Sequence, residues 1–314
     1  MLWAVFILIG IFLLIILSIW LIGEKGIWMR SSTKDFIEEG GWKRLLNFKS
    51  FHGYIYMRWQ KSYLSFFINE VQHRSSQAMR KWWSERYHAK VLTEGQAKKI
   101  ITINEAIPYQ KIEKVIPYPV AHDFLLDASP KITAFECGCR HARKVHCEPT
   151  QVCLWVGQPF ADFMREHHPL ESRVISKDEA LSILKAEHQR GHVHTAWFKD
   201  AMLDRFYVIC NCCPNCCGGI EVMTKYGIPM LNSSGYVAEV DQNLCSGCGA
   251  CAEICPFNAL QVEEVATLKW DVCMGCGVCV DHCPNNAITL IEDESKGIAL
   301  DPDLLIKRET LENL

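Results

Sequence analysis

The chain has 314 residues, 49% of them hydrophobic, a formal net charge of -3 and 17 cysteines. An odd cysteine count, with adjacent Cys-Cys pairs and repeated C-x-x-C spacings, argues against the paired, spaced-out disulfides of short secreted chains. It points to thiolate ligation of soft metals, iron-sulfur clusters above all, in a reducing compartment.

From Met1 to Gly23 the sequence carries no charged residue, about the length that crosses the hydrocarbon core as a helix. It reads as a single uncleaved transmembrane helix rather than a signal peptide, because it has no basic leading segment and no small-x-small cleavage site. Trp3, Trp20 and Trp28 suit the two membrane interfaces. Residues 24–100 hold 15 Lys and Arg against 7 Asp and Glu, and the rest of the chain 18 against 29. A basic segment close behind a spanning helix is retained on the cytoplasmic side, which places the C-terminal body in the cytoplasm.

The stem, 24–100, is α-rich and interleaves aromatic residues (Trp42, Tyr54, Tyr56, Trp59, Trp82, Trp83) with Lys and Arg. It either lies along a membrane surface or partner subunit, or forms amphipathic helices packed on the acidic body. Nucleic acid is a weak third reading beside a membrane span.

Residues 101–234 form a cysteine-rich α+β domain. In FECGCRHARKVHCEPTQVC, Cys137 and Cys139 present two thiolates to one metal centre, and Cys147 and Cys153 complete four ligands. Arg140, Arg143 and Lys144 favour thiolates and raise a cluster's potential. His141 and His146 read as solvated side chains. Ser176 and Glu179 form a capping box for a helix stopped by Gly191, and RFYVI reads as the strand leading to Cys210. His167, His168, His188, His192 and His194 read as surface or capping residues. Then come Cys210, Cys212, Cys213, Cys216 and Cys217 within eight positions. Adjacent cysteines reach one cubane only if the backbone bends, which Pro214, Gly218 and Gly219 allow. These nine cysteines are candidate ligands of one or two extra clusters; a Cys213/Cys216 dithiol is a minor alternative.

Cys245-x-x-Cys248-x-x-Cys251-x-x-x-Cys255-Pro256 is repeated 28 residues later as Cys273-x-x-Cys276-x-x-Cys279-x-x-x-Cys283-Pro284. On these motifs residues 235–292 resemble a bacterial two-cluster ferredoxin domain. The resemblance implies two 4Fe-4S clusters, one on Cys245, Cys248, Cys251 and Cys283, the other on Cys273, Cys276, Cys279 and Cys255. A zinc-ribbon pair lacks the third x-x-C and the x-x-x-C-P. The upstream C-x-C-R and C-N-C-C-x-x-C-C segments resemble a poorly characterised group of iron-sulfur proteins from anaerobes. Residues 293–314 read as a surface tail.

The fold expected is α+β: a transmembrane helix (1–23), the stem, the cysteine-rich body and a C-terminal ferredoxin-like domain. No haem, phosphate-loop or dinucleotide motif is present. The function expected is single-electron transfer through 4Fe-4S clusters, in a membrane-anchored subunit of an oxidoreductase complex with redox partner proteins and no nucleic acid. The alternatives are a catalytic cluster in 137–217 fed by the ferredoxin domain, and a membrane-bound redox sensor.

Overall fold

The computed structural model describes residues 2–112, 115, 123–303 and 305–306. The N-terminal third is helical: α1 (Leu2–Gly23), α2 (Ser31–Leu46), α3 (Lys49–Arg58), α4 (Gln60–Phe66), a π-helical turn (Phe67–Val71), α5 (Gln72–Arg74) and α6 (Gln77–Ser84). The body follows as β1 (Tyr87–Leu92), α7 (Glu94–Thr102), β2 (Ile107–Lys111), β3 (Asp123–Leu126), β4 (Ile132–Phe135), α8 (Gly138–His141), β5 (Cys153–Val156), α9 (Phe160–His167), β6 (Ser172–Ile175), α10 (Lys177–Gln189), β7 (Val193–Lys199), β8 (Arg205–Cys212), α11 (Gly218–Tyr226) and β9 (Leu231–Asn232). Last come β10 (Tyr236–Val240), α12 (Ala250–Ile254), β11 (Leu260–Val262), β12 (Ala266–Leu268), α13 (Val278–Asp281) and β13 (Ile288–Glu292).

Among the described residues β1 to β9 make one nine-stranded mixed sheet, ordered β6-β4-β5-β8-β7-β1-β9, with β3 joining β8 and carrying β2. β7 and β8 form its central hairpin, Thr195 opposite Cys210 and Val193 opposite Cys212. One face packs Phe36, Tyr54, Tyr56, Met57, Leu64 and Ile68 of the stem against Trp155, Trp197 and Tyr207. The other packs α7 and α10 through Ile100, Ile101, Ala180 and Leu184. The result is helix, sheet, helix, with a buried apolar layer on each side of the strands.

Local chemistry explains several boundaries. Thr93 and Gln96 make a full capping box on α7. On α10 only half of the expected box forms: Ser176 accepts from the Glu179 backbone N–H, while the Glu179 carboxylate pairs with Arg173 instead. Gly191, at φ +78°, follows the helix, in the left-handed conformation that glycine adopts without strain.

The single-pass membrane reading is corrected. Residues 2–23 are helical, and described side chains such as Trp3, Leu8 and Ile22 are exposed, but no helix among the described residues is long and apolar enough to cross a membrane. The transmembrane part of the expected fold and the cytoplasmic placement derived from it do not stand. The last turn of α1 is instead committed to the protein. Trp20 stacks on Tyr54 at 4.9 Å and donates its indole N–H to the Trp28 carbonyl at 2.7 Å. Arg58 Nε donates to the Gly23 carbonyl at 2.7 Å. Glu24, fully buried, accepts from Thr33 Oγ1 at 2.9 Å and from the Arg30 backbone N–H at 2.6 Å.

The stem docks on the body by rings and charges together. Besides its buried aromatics, Arg44 and Lys49 pair with Asp204, Lys61 with Glu171 and Glu39 with Arg205. Trp42, Phe48, Phe66 and Trp82 remain exposed. Of the tail, Leu300 and Leu305 join the second core layer; residues 304 and 307–314 lie outside the described residues.

The α3 helix approaches the β7–β8 turn so closely that a Cβ on Gly53 would sit 2.2 Å from the Ala201 carbonyl oxygen and 2.7 Å from Phe36. Gly53→Ala should therefore destabilise the full chain by about 1–3 kcal/mol through overpacking, read as a lower denaturant midpoint. An unchanged midpoint would mean that the stem does not dock this way.

Candidate metal centres

The C-terminal repeats enclose two small cavities. Cys245, Cys248, Cys251 and Cys283 line one of about 10 Å³, and Cys255, Cys273, Cys276 and Cys279 the other, of about 20 Å³. The antiparallel pairs β10–β13 and β11–β12 frame them. Gly247 and Gly275 turn the loops at φ +68° and +62°. Backbone N–H groups of Ala266, Ala259 and Ala287 donate to the sulfurs of Cys245, Cys255 and Cys283, each at 3.3 Å; such bonds tune cluster potentials. Burial pushes the Cys276 thiol up to about 12.

The two cavities face different ways. Cys248 is exposed. Cys276 and Cys255, with Met274 and Phe257, belong to the same apolar cluster as the body's Cys153, Cys212 and Cys217. At that junction a Cβ on Gly191 would meet Ile254 at 2.6 Å, and His282 Nε2 lies 3.1 Å from the Gln189 carbonyl.

Under the stem, the body holds a larger chamber of about 50 Å³. Six of its cysteines form a closed ring of interacting thiols. Cys137 interacts with Cys139 and Cys153, Cys139 with Cys217, Cys153 with Cys210, and Cys212 with Cys210 and Cys217. Cys217 Sγ lies 3.3 Å from Cys212 Sγ. Tyr56, Tyr87, Trp155, Trp197 and Met230 wall the space. Thr195 Oγ1, which accepts from the Trp197 indole at 2.8 Å, lies 3.2 Å from Cys212 Sγ.

The ring is built from separate segments. Cys137 and Cys139 sit at the start of α8 just after β4, Cys153 opens β5, Cys210 and Cys212 end β8, and Cys217 precedes α11. Side chains two apart on a strand share a face, so Cys210 and Cys212 both enter the ring. Adjacent cysteines divide: Cys212 and Cys217 enter it, while Cys213 contacts Cys147 and Cys216. Gly218 and Gly219 begin a regular helix, and their role is close approach: a Cβ would meet Ile68 at 2.9 Å or Trp197 at 2.6 Å.

Without a metal most of these thiols hold their protons. Contact with Cys139, then burial, pushes Cys137 up; contact with Cys137, then burial, does the same to Cys153. Hydrogen bonding with Cys210 and Cys217 draws Cys212 down to about 6. A metal binding here displaces the protons, so its affinity rises with pH.

The expected charges behave differently from one another. Arg140 is fully buried and binds Glu187, the Pro149 carbonyl and the Asn211 carbonyl at 3.3 Å; its Nη2 lies 3.1 Å from His192 Nδ1, and both nitrogens face Glu187 Oε2. Burial opposes ionisation of Glu187, but hydrogen bonds from His192 and Arg140 outweigh it and hold the carboxyl below its usual range. Arg143 donates to the Cys216 carbonyl at 3.1 Å and to Glu221 at 2.6 Å; Lys144 is exposed. His141 and His146 turn to Glu136 and Glu148, away from the ring. Sequence reasoning missed His192, which is buried and lies beside Cys147 and Cys213. Its place one residue before the strand that pairs with β8 is the signal that points to it.

A family model for the 4Fe-4S binding domain matches residues 238–261 and again 266–289. The C-terminal part is thus a two-cluster ferredoxin-like domain, it carries two 4Fe-4S clusters, and it gives the protein the capacity for iron-sulfur electron transfer. No curated protein matches the chain.

Replacing Arg140 by Met would remove the buried guanidinium and leave the interior Glu187 carboxylate with His192 and Arg190 alone. The variant should lose about 3–5 kcal/mol of stability, as broken buried ion pairs do, measured by denaturant unfolding under anaerobic conditions. A loss below about 1 kcal/mol would contradict a buried pair.

Proposed function

We propose that the protein transfers single electrons along a line of clusters: in through the ferredoxin site nearest solvent, on through the second, and into an additional iron-sulfur cluster held by Cys137, Cys139, Cys153, Cys210, Cys212 and Cys217. The cysteine sets of the two ferredoxin clusters are those that line the two C-terminal cavities. The observation that carries the reading is the closed six-thiol ring in a chamber larger than either ferredoxin cavity. Thiolates at this density suit iron-sulfur clusters.

Six thiols exceed the four that a cubane uses. A catalytic cluster needs an open coordination position, and no ligand is short here, which favours transfer over catalysis at this site. The order of transfer is supported by exposure at Cys248 and by the shared packing of Cys255 and Cys276 with the body core. The aromatic walls keep water from the chamber, and burial and N–H···S bonds set potentials. A redox partner protein would dock where Cys248 reaches the surface.

The test is iron and acid-labile sulfide per full chain after anaerobic purification. About 12 iron atoms or more, with matching sulfide, are expected, and about 8 would leave the ferredoxin clusters alone. Replacing Cys210, Cys212 and Cys217 together by Ser leaves three of the six thiols, one fewer than a cubane uses, and should lower the count by about 4 while the ferredoxin signals in the reduced electron paramagnetic resonance spectrum persist. A variant with unchanged iron would contradict the chamber as a cluster site.

A further inference from the structure

The three body cysteines left out of the ring gather on the far side of the 213–217 turn with a buried imidazole. Cys147 Sγ lies 3.1 Å from Cys213 Sγ, and Cys213 also contacts Cys216. One donor atom from each of Cys147, Cys213 and His192 lies within 4.8 Å of the other two. His192 Nδ1 is 2.6 Å from Glu187 Oε2, and Glu187 is itself held by Arg140 and Arg190. An imidazole whose Nδ1–H is fixed by a carboxylate has its tautomer set, with the Nε2 lone pair left to bind a metal.

We propose that Cys147, Cys213 and His192, with Cys216 as the fourth donor, bind a single thiophilic divalent ion of the zinc class, at a site distinct from any iron-sulfur cluster. Three thiolates and one imidazole are a familiar closed tetrahedral set, with metal–sulfur bonds of about 2.3 Å and metal–nitrogen bonds of about 2.0–2.1 Å. Such an ion needs donors nearly in contact, as Cys147 and Cys213 are. The ion would join three segments distant in sequence: the loop carrying Cys147, the turn after β8, and the residue that leads into β7. Cys213 and Cys216 also line the chamber, so the ion would fix part of its wall. The proposal does not depend on the chamber cluster: its readout is a metal without sulfide, whereas that reading fails or stands on iron with sulfide.

Zinc, iron and acid-labile sulfide are measured together on the anaerobically purified full chain. About one zinc per chain, or about one iron in excess of sulfide, supports the site. Cys147→Ser, a change at a half-buried loop position, should reduce that ion at least about fivefold at unchanged sulfide, because loss of a thiolate weakens a structural zinc site. His192→Gln should do the same. Cys139→Ser, in the ring, should leave it in place. Less than about 0.2 zinc with iron equal to sulfide, a Cys147–Cys213 disulfide found by mass spectrometry in place of the metal, or a loss of sulfide in Cys147→Ser would each overturn the proposal.

Discussion

Successive side chains on an extended strand point to opposite faces, and that constraint organises the metal chemistry of the body. Cys210 and Cys212 share a face of β8 and enter one chamber. Cys213, the next residue, takes no part in the ring and meets Cys147 and Cys216 instead. The turn that follows returns Cys217 to the ring and keeps Cys216 beside Cys213. A crowded run of five thiols is thereby sorted, three into the ring and two into the group with Cys147. The remaining ring members arrive because β5 pairs with β8 and β4 pairs with β5, which brings Cys153 and the Cys137–Cys139 turn to the same place. The sheet register is thus part of the metal site, and a slip of one residue would scatter the thiols.

The rest of the architecture serves to keep that place dry and rigid. The stem helices cover the chamber with Tyr56, Gln60, Leu64 and Ile68. Beneath it, the buried Arg140 and Glu187 pair with each other, Glu187 also with His192 and Arg190, and Arg140 also with the Pro149 and Asn211 carbonyls. Such a network favours one arrangement of the loops that carry the cysteines. The ferredoxin-like part then abuts the body through the apolar surface around Cys255 and Cys276, so its two cavities stand at different distances from solvent.

What the sequence disclosed follows the range of the interactions. The ferredoxin motif was legible because three cysteines of each set sit on one short loop, while the crossing of Cys283 and Cys255 to the other set rests on the resemblance. The β8 strand and the α10 cap were legible for the same local reason. The grouping of the other nine cysteines was not, since it depends on strand pairing across the sheet and on which face each residue takes. His192 read as a surface residue because its partners, Glu187 and Arg140, are five and 52 positions away. In the stem, alternation of rings and charges left two readings open. Packing of Tyr54 and Tyr56 and pairing of Arg44 and Lys61 with the body show what hydrophobic pattern alone could not resolve. The apolar N-terminal run invited a membrane reading because hydropathy ignores the contacts that its last turn makes with Tyr54 and Arg58.

The most direct measurement is a crystal structure of the anaerobically purified full chain with anomalous diffraction collected at the iron absorption edge. The account predicts three separate iron-bearing sites: the two ferredoxin cavities and the chamber enclosed by Cys137, Cys139, Cys153, Cys210, Cys212 and Cys217, with the second ferredoxin site the nearer to the chamber. Iron confined to the ferredoxin cavities, with the six thiols metal-free or paired as disulfides, would contradict it.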